Sequence, residues 1–226
     1  MIRKLSRILA VLLVIAILVL WEAICRALKV DPFVLPMPSA IWDALVEFRA
    51  PIFDHAMQTF WTTMVGFAIA VVVGILLGSL LGSSALIYRA CYPLLVGFNS
   101  IPKAAFVPIL VVWFGIGTTP AILTAFLISF FPIVVNVATG LATLEPELED
   151  VLRALGASRV EILRKVGLPR SMPFFFASLK VAITLAFVGT TVSEMTASNE
   201  GIGYLLISAG SSMQMGLAFS GLVVVG

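Results

Sequence analysis

Side chains able to do chemistry fall into two groups in this sequence. One is a charged run, Glu145 to Arg170, which holds ten of the chain's 26 charged residues within 26 positions. The other is a scatter of polar residues inside apolar stretches: Asn99, Ser100, Lys103, Asn136, Thr139 and Glu194. Neither group is a catalytic constellation. The chain has one histidine, His55, and two cysteines, Cys25 and Cys91, with no metal-ligand spacing among them. Free cysteines at the edges of apolar runs behave as small packing residues.

The charged run reads as two short amphipathic helices. Leu148, Val151, Leu152 and Leu155 repeat at the i, i+3, i+4, i+7 spacing of one helix face. Glu147, Glu149 and Asp150 crowd the first turn, where the helix dipole favours anions. Gly156 then stands where a C-terminal cap is expected. Ser158-x-x-Glu161 forms a capping-box pattern that starts a second helix reaching about Val166, and Pro169 is expected to stop it. A pair of capped helices bent at glycine makes a rigid knob, which suits a partner better than a solvated linker would.

The elements that position these groups are membrane spans. Of 226 residues, 61% are hydrophobic and 12% charged, with mean hydropathy +1.13. A soluble domain has about 25% charged residues. The net charge of +2, with no basic stripe, excludes a nucleic-acid footprint. A hydrocarbon core about 30 Å thick takes roughly 20 residues of helix, and the apolar runs then mark about six spans. These run near Ile8–Ile24, Phe60–Leu81, Tyr92–Phe114 (interrupted by Pro102, Lys103 and Pro108), Ala121–Leu144 and Pro173–Val192, with a last run from Leu217 that looks cut short. The first run lacks a small-x-small cleavage site and is expected to stay as a span.

Between the first two spans, two prolines and then Ser39 as a plausible N-cap announce a short interfacial helix in "LPMPSAIWDALVEF". Basic residues at the amino terminus, at Arg89 and in the 145–170 segment share one side if spans alternate. The positive-inside rule makes that side, and the amino terminus, cytoplasmic. Ala70, Gly74, Gly78 and Gly82 recur every four residues and predict a close helix-packing face. The polar residues within spans should turn inward, either lining a pathway or bonding between helices. Lys103 could instead snorkel to the interface, and it is also the group that could attract an anionic solute.

Gly156, nine residues, Val166, x, Leu168, Pro169 is similar to the cytoplasmic EAA loop of bacterial ATP-binding-cassette (ABC) importer permeases, written Glu-Ala-Ala, three residues, Gly, nine residues, Ile-x-Leu-Pro. The name-giving triplet departs, being Asp150, Val151 and Leu152. "LPMPSAIWDAL", "IPKAAFVPILVVWFGIG", "FFPIVVN" and "SEMTASNEGIGYLL" resemble segments of the nitrate, sulfonate and taurine subfamily. The resemblance implies an all-α membrane protein, a single permease domain over residues 1–226 with the type I ABC importer fold. It also implies a multi-pass place in the bacterial inner (plasma) membrane and a pathway for a small sulfur or nitrogen compound.

Partners follow from the same resemblance: cytoplasmic ABC ATPase subunits that bind ATP and magnesium, a periplasmic or lipid-anchored solute-binding protein, a second permease copy in a homodimer, and membrane lipid. The chain itself has no phosphate-binding loop, needs no cofactor and is not expected to be an enzyme. Asp150, Arg153, Gly156, Ala157, Ser158, Arg159 and Glu161 would contact the ATPase. Asn99, Ser100, Lys103, Asn136, Thr139 and Glu194 would line the pathway. An ion-coupled secondary transporter or channel, with Lys103 and Glu194 as a gating pair, is the competing reading, but it leaves the helix pair unexplained.

Overall fold

A computed structural model describes residues 2–142 and 151–225. The described residues form α1 (Ile2–Ala27), α2 (Pro38–Glu47), α3 (Arg49–Gly82), α4 (Ala85–Asn99), a 3-10 turn (Lys103–Phe106), α5 (Val107–Phe114) and α6 (Thr118–Ala142). After helical residues 151–154 come α7 (Arg159–Ile162), a π turn (Leu163–Gly167), α8 (Leu168–Ala197), α9 (Ile202–Ser211) and α10 (Met215–Val225). Contacts group these into two compact units, one built from residues up to Gln58 and from Glu200 onward, the other from Thr59–Asn199.

Among the described residues, four helices are long and apolar enough to cross a membrane, in the ranges Ile8–Ala27, Arg49–Gly82, Thr118–Leu141 and Arg164–Ala197. A further pair, third in chain order, is apolar and long enough only when taken together: Leu86–Asn99 and Lys103–Phe114 meet at 69°, the geometry of a broken span or a re-entrant loop. The 34 residues of α3 make it about 51 Å long at 1.5 Å per residue, well over the hydrocarbon thickness. Its polar residues Arg49, Asp54 and His55 fall in the first turns, and the apolar stretch from Phe60 is by itself long enough to cross. Two short apolar helices, Ile202–Ser211 and Met215–Val225, complete the set.

In the larger unit α6 is the central helix. Half of its span is buried, against 22% for each of α3 and α8. A cluster of Ala70, Ile133, Val137, Leu141 and Ala182 joins α3, α6 and α8. The glycine stripe lies on this contact, because a Cβ at Gly74 would come within 2.7 Å of Ile133, one at Gly78 within 2.7 Å of Val137, and one at Gly82 within 2.8 Å of the Ala138 carbonyl. Gly66, one turn before Ala70, extends the stripe against Ala125. Small residues thus let backbones approach where apolar packing and not the hydrophobic effect must hold helices together.

The smaller unit has its own cluster of Ile52, Ile202, Leu205, Ala209, Leu217 and Ala218. Its α2 begins two residues earlier than an N-cap at Ser39 would dictate, with Met37 in the N-cap position. Pro38 occupies the first turn, where a missing N–H costs nothing, and Ser39 instead donates its backbone N–H and hydroxyl to the Glu22 carboxylate at 3.1 and 2.8 Å. Glu22 on α1 is thereby the cap, and its partner Arg26 donates to it from one turn on, at 2.8 Å through Nε. Pro169 likewise opens α8 and does not close the helix before it. It sits in the first turn of α8, and the π turn carries the chain into it without a stop.

Candidate functional site

Two regions gather the polar groups. At the first, residues 151–154 and α7 meet at Gly156, whose φ of +90° belongs to the left-handed region that glycine enters without steric cost. The Gly156 N–H donates to the Arg153 carbonyl at 2.9 Å and the Ala157 N–H to the Leu152 carbonyl at 3.0 Å. That pair of bonds is a Schellman ending, which satisfies carbonyls a bare helix end leaves open.

Ser158 and Glu161 then close the capping box. The Ser158 N–H donates to Glu161 Oε2 at 3.1 Å, and the Glu161 N–H donates to Ser158 Oγ at 3.3 Å. The Glu161 carboxyl is held below the usual carboxylate range, first by the Ser158 backbone N–H, then by its hydroxyl, then by the Lys165 ammonium 3.5 Å away. A cleft of about 320 Å³ lies in the angle between the helices, lined by Leu152, Leu155, Gly156, Ala157, Glu161 and Ile162 among others. Leu155 and Val151 are exposed at 79% and 56%, an apolar tip flanked by exposed Arg153 and Lys165. Glu147, Glu149 and Asp150 lie outside the described residues. Of Arg159 the backbone alone, at the start of α7, is described.

The second region is the break between Leu86–Asn99 and Lys103–Phe114. Pro102 has no N–H, and the last carbonyls of α4 lose the helical donors that would follow. Lys103 replaces them: its Nζ donates to the Asn99 carbonyl at 2.8 Å, to Asn99 Oδ1 at 3.0 Å and to the Ile101 carbonyl at 3.4 Å. The ammonium also lies 5.6 Å from the ring centres of Phe98 and Phe131. Lys103 is buried, 8% exposed, and does not snorkel.

Asn99, Lys103 and Asn136 line one cavity of about 520 Å³ with Ile128, Phe131 and Leu185. Asn136 Nδ2 donates to the Pro132 carbonyl at 2.8 Å. Three of the six expected pathway residues are therefore brought together. Ser100 is exposed beside them and donates to the Val96 carbonyl at 3.1 Å, whereas Thr139 bonds Tyr88 at 2.9 Å.

Glu194 is elsewhere, 2% exposed, and it accepts a 2.8 Å hydrogen bond from Thr59 Oγ1. One turn along, Thr63 donates to Thr190 at 2.9 Å. Thr59, Thr62 and Thr63 on α3 and Thr190, Ser193 and Glu194 on α8 are all buried, and each set has i, i+3, i+4 spacing. This polar seam between two spans was available in the sequence as matched spacing, but nothing there paired positions more than 120 residues apart. A gating pair of Lys103 with Glu194 does not form among the described residues, since the Lys103 hydrogen bonds go to Asn99 and Ile101 at the break and Glu194 accepts from Thr59. Among the described residues no cluster of His, Cys, Asp and Glu could hold a metal ion.

Residues 70–226 match the family model described as "Binding-protein-dependent transport system inner membrane component". The chain is 33% identical over 189 residues to the formylaminopyrimidine transport permease protein ThiX of Halalkalibacterium halodurans, covering 83% of this chain and 75% of that protein. It is 25% identical to the taurine transport system permease protein TauC of Escherichia coli, covering 92% and 78%. Among solved structures it resembles the inward-facing MetNI methionine ABC transporter, with TM-score 0.61 and 21% identity over 75% of this chain and 87% of that one.

Proposed function

Since the chain belongs to the binding-protein-dependent transport system inner membrane components, the membrane permeases of ABC importers, we propose that it moves a small nitrogen- or sulfur-containing solute, of the sulfonate, taurine or nitrate kind, through a pathway along the broken Leu86–Phe114 pair of helices. As a permease it is a multi-pass transport subunit of the inner membrane, and ATP hydrolysis belongs to a separate subunit. Solute arrives from a binding protein, and the knob around Gly156 docks on the ATPase, which holds ATP and magnesium.

The observation that carries this proposal is the capped bend itself. Two helices fixed at Gly156 by a Schellman ending and a capping box form a unit that can be pushed without deforming. The π turn and α8 continue it into a 34-residue helix that spans the bilayer, so a displacement of the knob is a displacement of that span. Coupling of two sites through such a lever is a free-energy difference between two arrangements. Arg153, Ala157, Ser158, Arg159, Glu161 and, from the sequence, Asp150 supply its contacts.

A homodimer completes the pathway, lipid covers the apolar face of α1, and the amino terminus lies in the cytoplasm with Arg89 and the knob. The test is reconstitution of the chain in proteoliposomes with its ATPase and binding protein. ATP-dependent uptake of taurine, an alkanesulfonate or nitrate supports the assignment. Uptake that proceeds without the ATPase and follows an ion gradient overturns it in favour of a secondary transporter.

A further inference from the structure

The cavity at the break contains a charge with no carboxylate partner among the described residues. Lys103 is 92% buried, and its three hydrogen bonds go to carbonyl and amide oxygens of Asn99 and Ile101. No carboxylate lines the cavity. Oxygen dipoles satisfy the ammonium's donors but leave its unit charge. The α4 C-terminus offsets only about half an elementary charge of it. An ion in such surroundings is costly unless an opposite charge arrives.

The neighbouring amides are suited to receive one. Asn99 spends its Oδ1 on Lys103, so its Nδ2 donors have no partner among the described residues. Asn136 uses one N–H on the Pro132 carbonyl and keeps the other. The remaining wall, with Ile101, Ile128, Phe131, Val135 and Leu185, is apolar. A volume of about 520 Å³ is that of a small-molecule site.

We infer that this cavity is an anion-selective station of the pathway, which accepts an oxyanion headgroup on a short apolar body. Lys103 supplies the charge, Asn99 and Asn136 supply amide donors, and the apolar wall takes the body. Cations and uncharged solutes are disfavoured there. The inference rests on the permease assignment and adds to it the residues that meet the anionic headgroup, Lys103, Asn99 and Asn136.

The test is binding of radiolabelled 1-butanesulfonate to the nanodisc-embedded permease with its ATPase, with uncharged butanesulfonamide as competitor. Saturable binding that the sulfonamide does not displace is expected. Lys103→Met should weaken it at least about tenfold, ~1.4 kcal/mol, and Lys103→Arg should retain it. Asn136→Asp, which leaves the Lys103 cap in place and adds a negative charge to the cavity, should weaken binding at neutral pH as well. Absence of saturable binding up to millimolar probe, equal displacement by the sulfonamide, or wild-type affinity in Asn136→Asp overturns the inference. ATPase retained in the same nanodiscs reports on the permease assignment separately, because probe binding is read on the permease whether or not the ATPase is present.

Discussion

Replacing Gly78 with alanine puts a methyl group where α3 and α6 are closest. Its Cβ would lie 2.7 Å from Val137 Cβ, 2.9 Å from the Val134 carbonyl oxygen and 3.0 Å from Val137 Cγ1. Carbon atoms rest about 3.5–4.0 Å apart. Two of the three contacts involve backbone or a Cβ tied to it, so relief needs the helices to separate by up to about 1 Å. Overpacking of this kind costs about 1–3 kcal/mol, while alanine in place of glycine favours the helix by about 1 kcal/mol. The net expectation for Gly78→Ala is a loss of about 0–2 kcal/mol by those two terms.

Gly97 on α4 is the control, because a Cβ there meets nothing within 4 Å. Gly97→Ala keeps the helix gain of about 1 kcal/mol unopposed, and the two variants should differ by about 1–3 kcal/mol, the overpacking term alone. Reversible unfolding in mixed micelles, followed by tryptophan fluorescence, measures the difference. Gly78→Ala as stable as Gly97→Ala would refute close α3–α6 packing.

Three further outcomes follow from named contacts. Because the Glu161 carboxyl is held below its ordinary value of 4.5, chiefly by the Ser158 N–H, its capping contribution is full above that value and disappears as pH falls through the lower folded value; the Ser158 amide resonance of the full chain in nanodiscs should move in that acid window, and not in Glu161→Gln. A double-mutant cycle of Thr59→Val and Glu194→Leu, each of which removes one side of the bond, should give a coupling of about 0.6–2 kcal/mol in the same unfolding assay for an interhelical bond in a bilayer, and a coupling of zero contradicts the seam. His55 Nδ1 accepts the Gly201 N–H at 3.0 Å, so His55→Ala should cost about 1–3 kcal/mol by leaving that donor unpaired, with His55→Asn recovering part of it in thermal melts.

Local chemistry was legible in the sequence. Gly156, Ser158 and Glu161 lie within six positions, and the bonds of their turn and capping box reach back no further than Leu152, so spacing was enough to find them. The glycine stripe was equally plain, because helical periodicity fixes which face Gly74, Gly78 and Gly82 share, although it did not say that α6 was the neighbour. The seam of Thr59 with Glu194 stayed hidden, since its partners are 135 positions apart and threonine in an apolar run is unremarkable by itself. Ser39 and Pro169 misled for a common reason. Each obeys a local rule for a helix end, and each was overridden by a neighbour in space or along the chain: the Glu22 carboxylate on α1 in one case, a π turn that feeds α8 in the other.

The lever at Gly156 is the central claim, and its most direct test is copurification. The chain is coexpressed with its ATPase and extracted in mild detergent, as wild type and as Gly156→Val, in which a β-branched residue is forced to a φ of +90°. The wild-type chain should bring the ATPase through purification, and Gly156→Val should lose it while still eluting as a monodisperse, folded membrane protein. An ATPase bound equally by both would contradict the account.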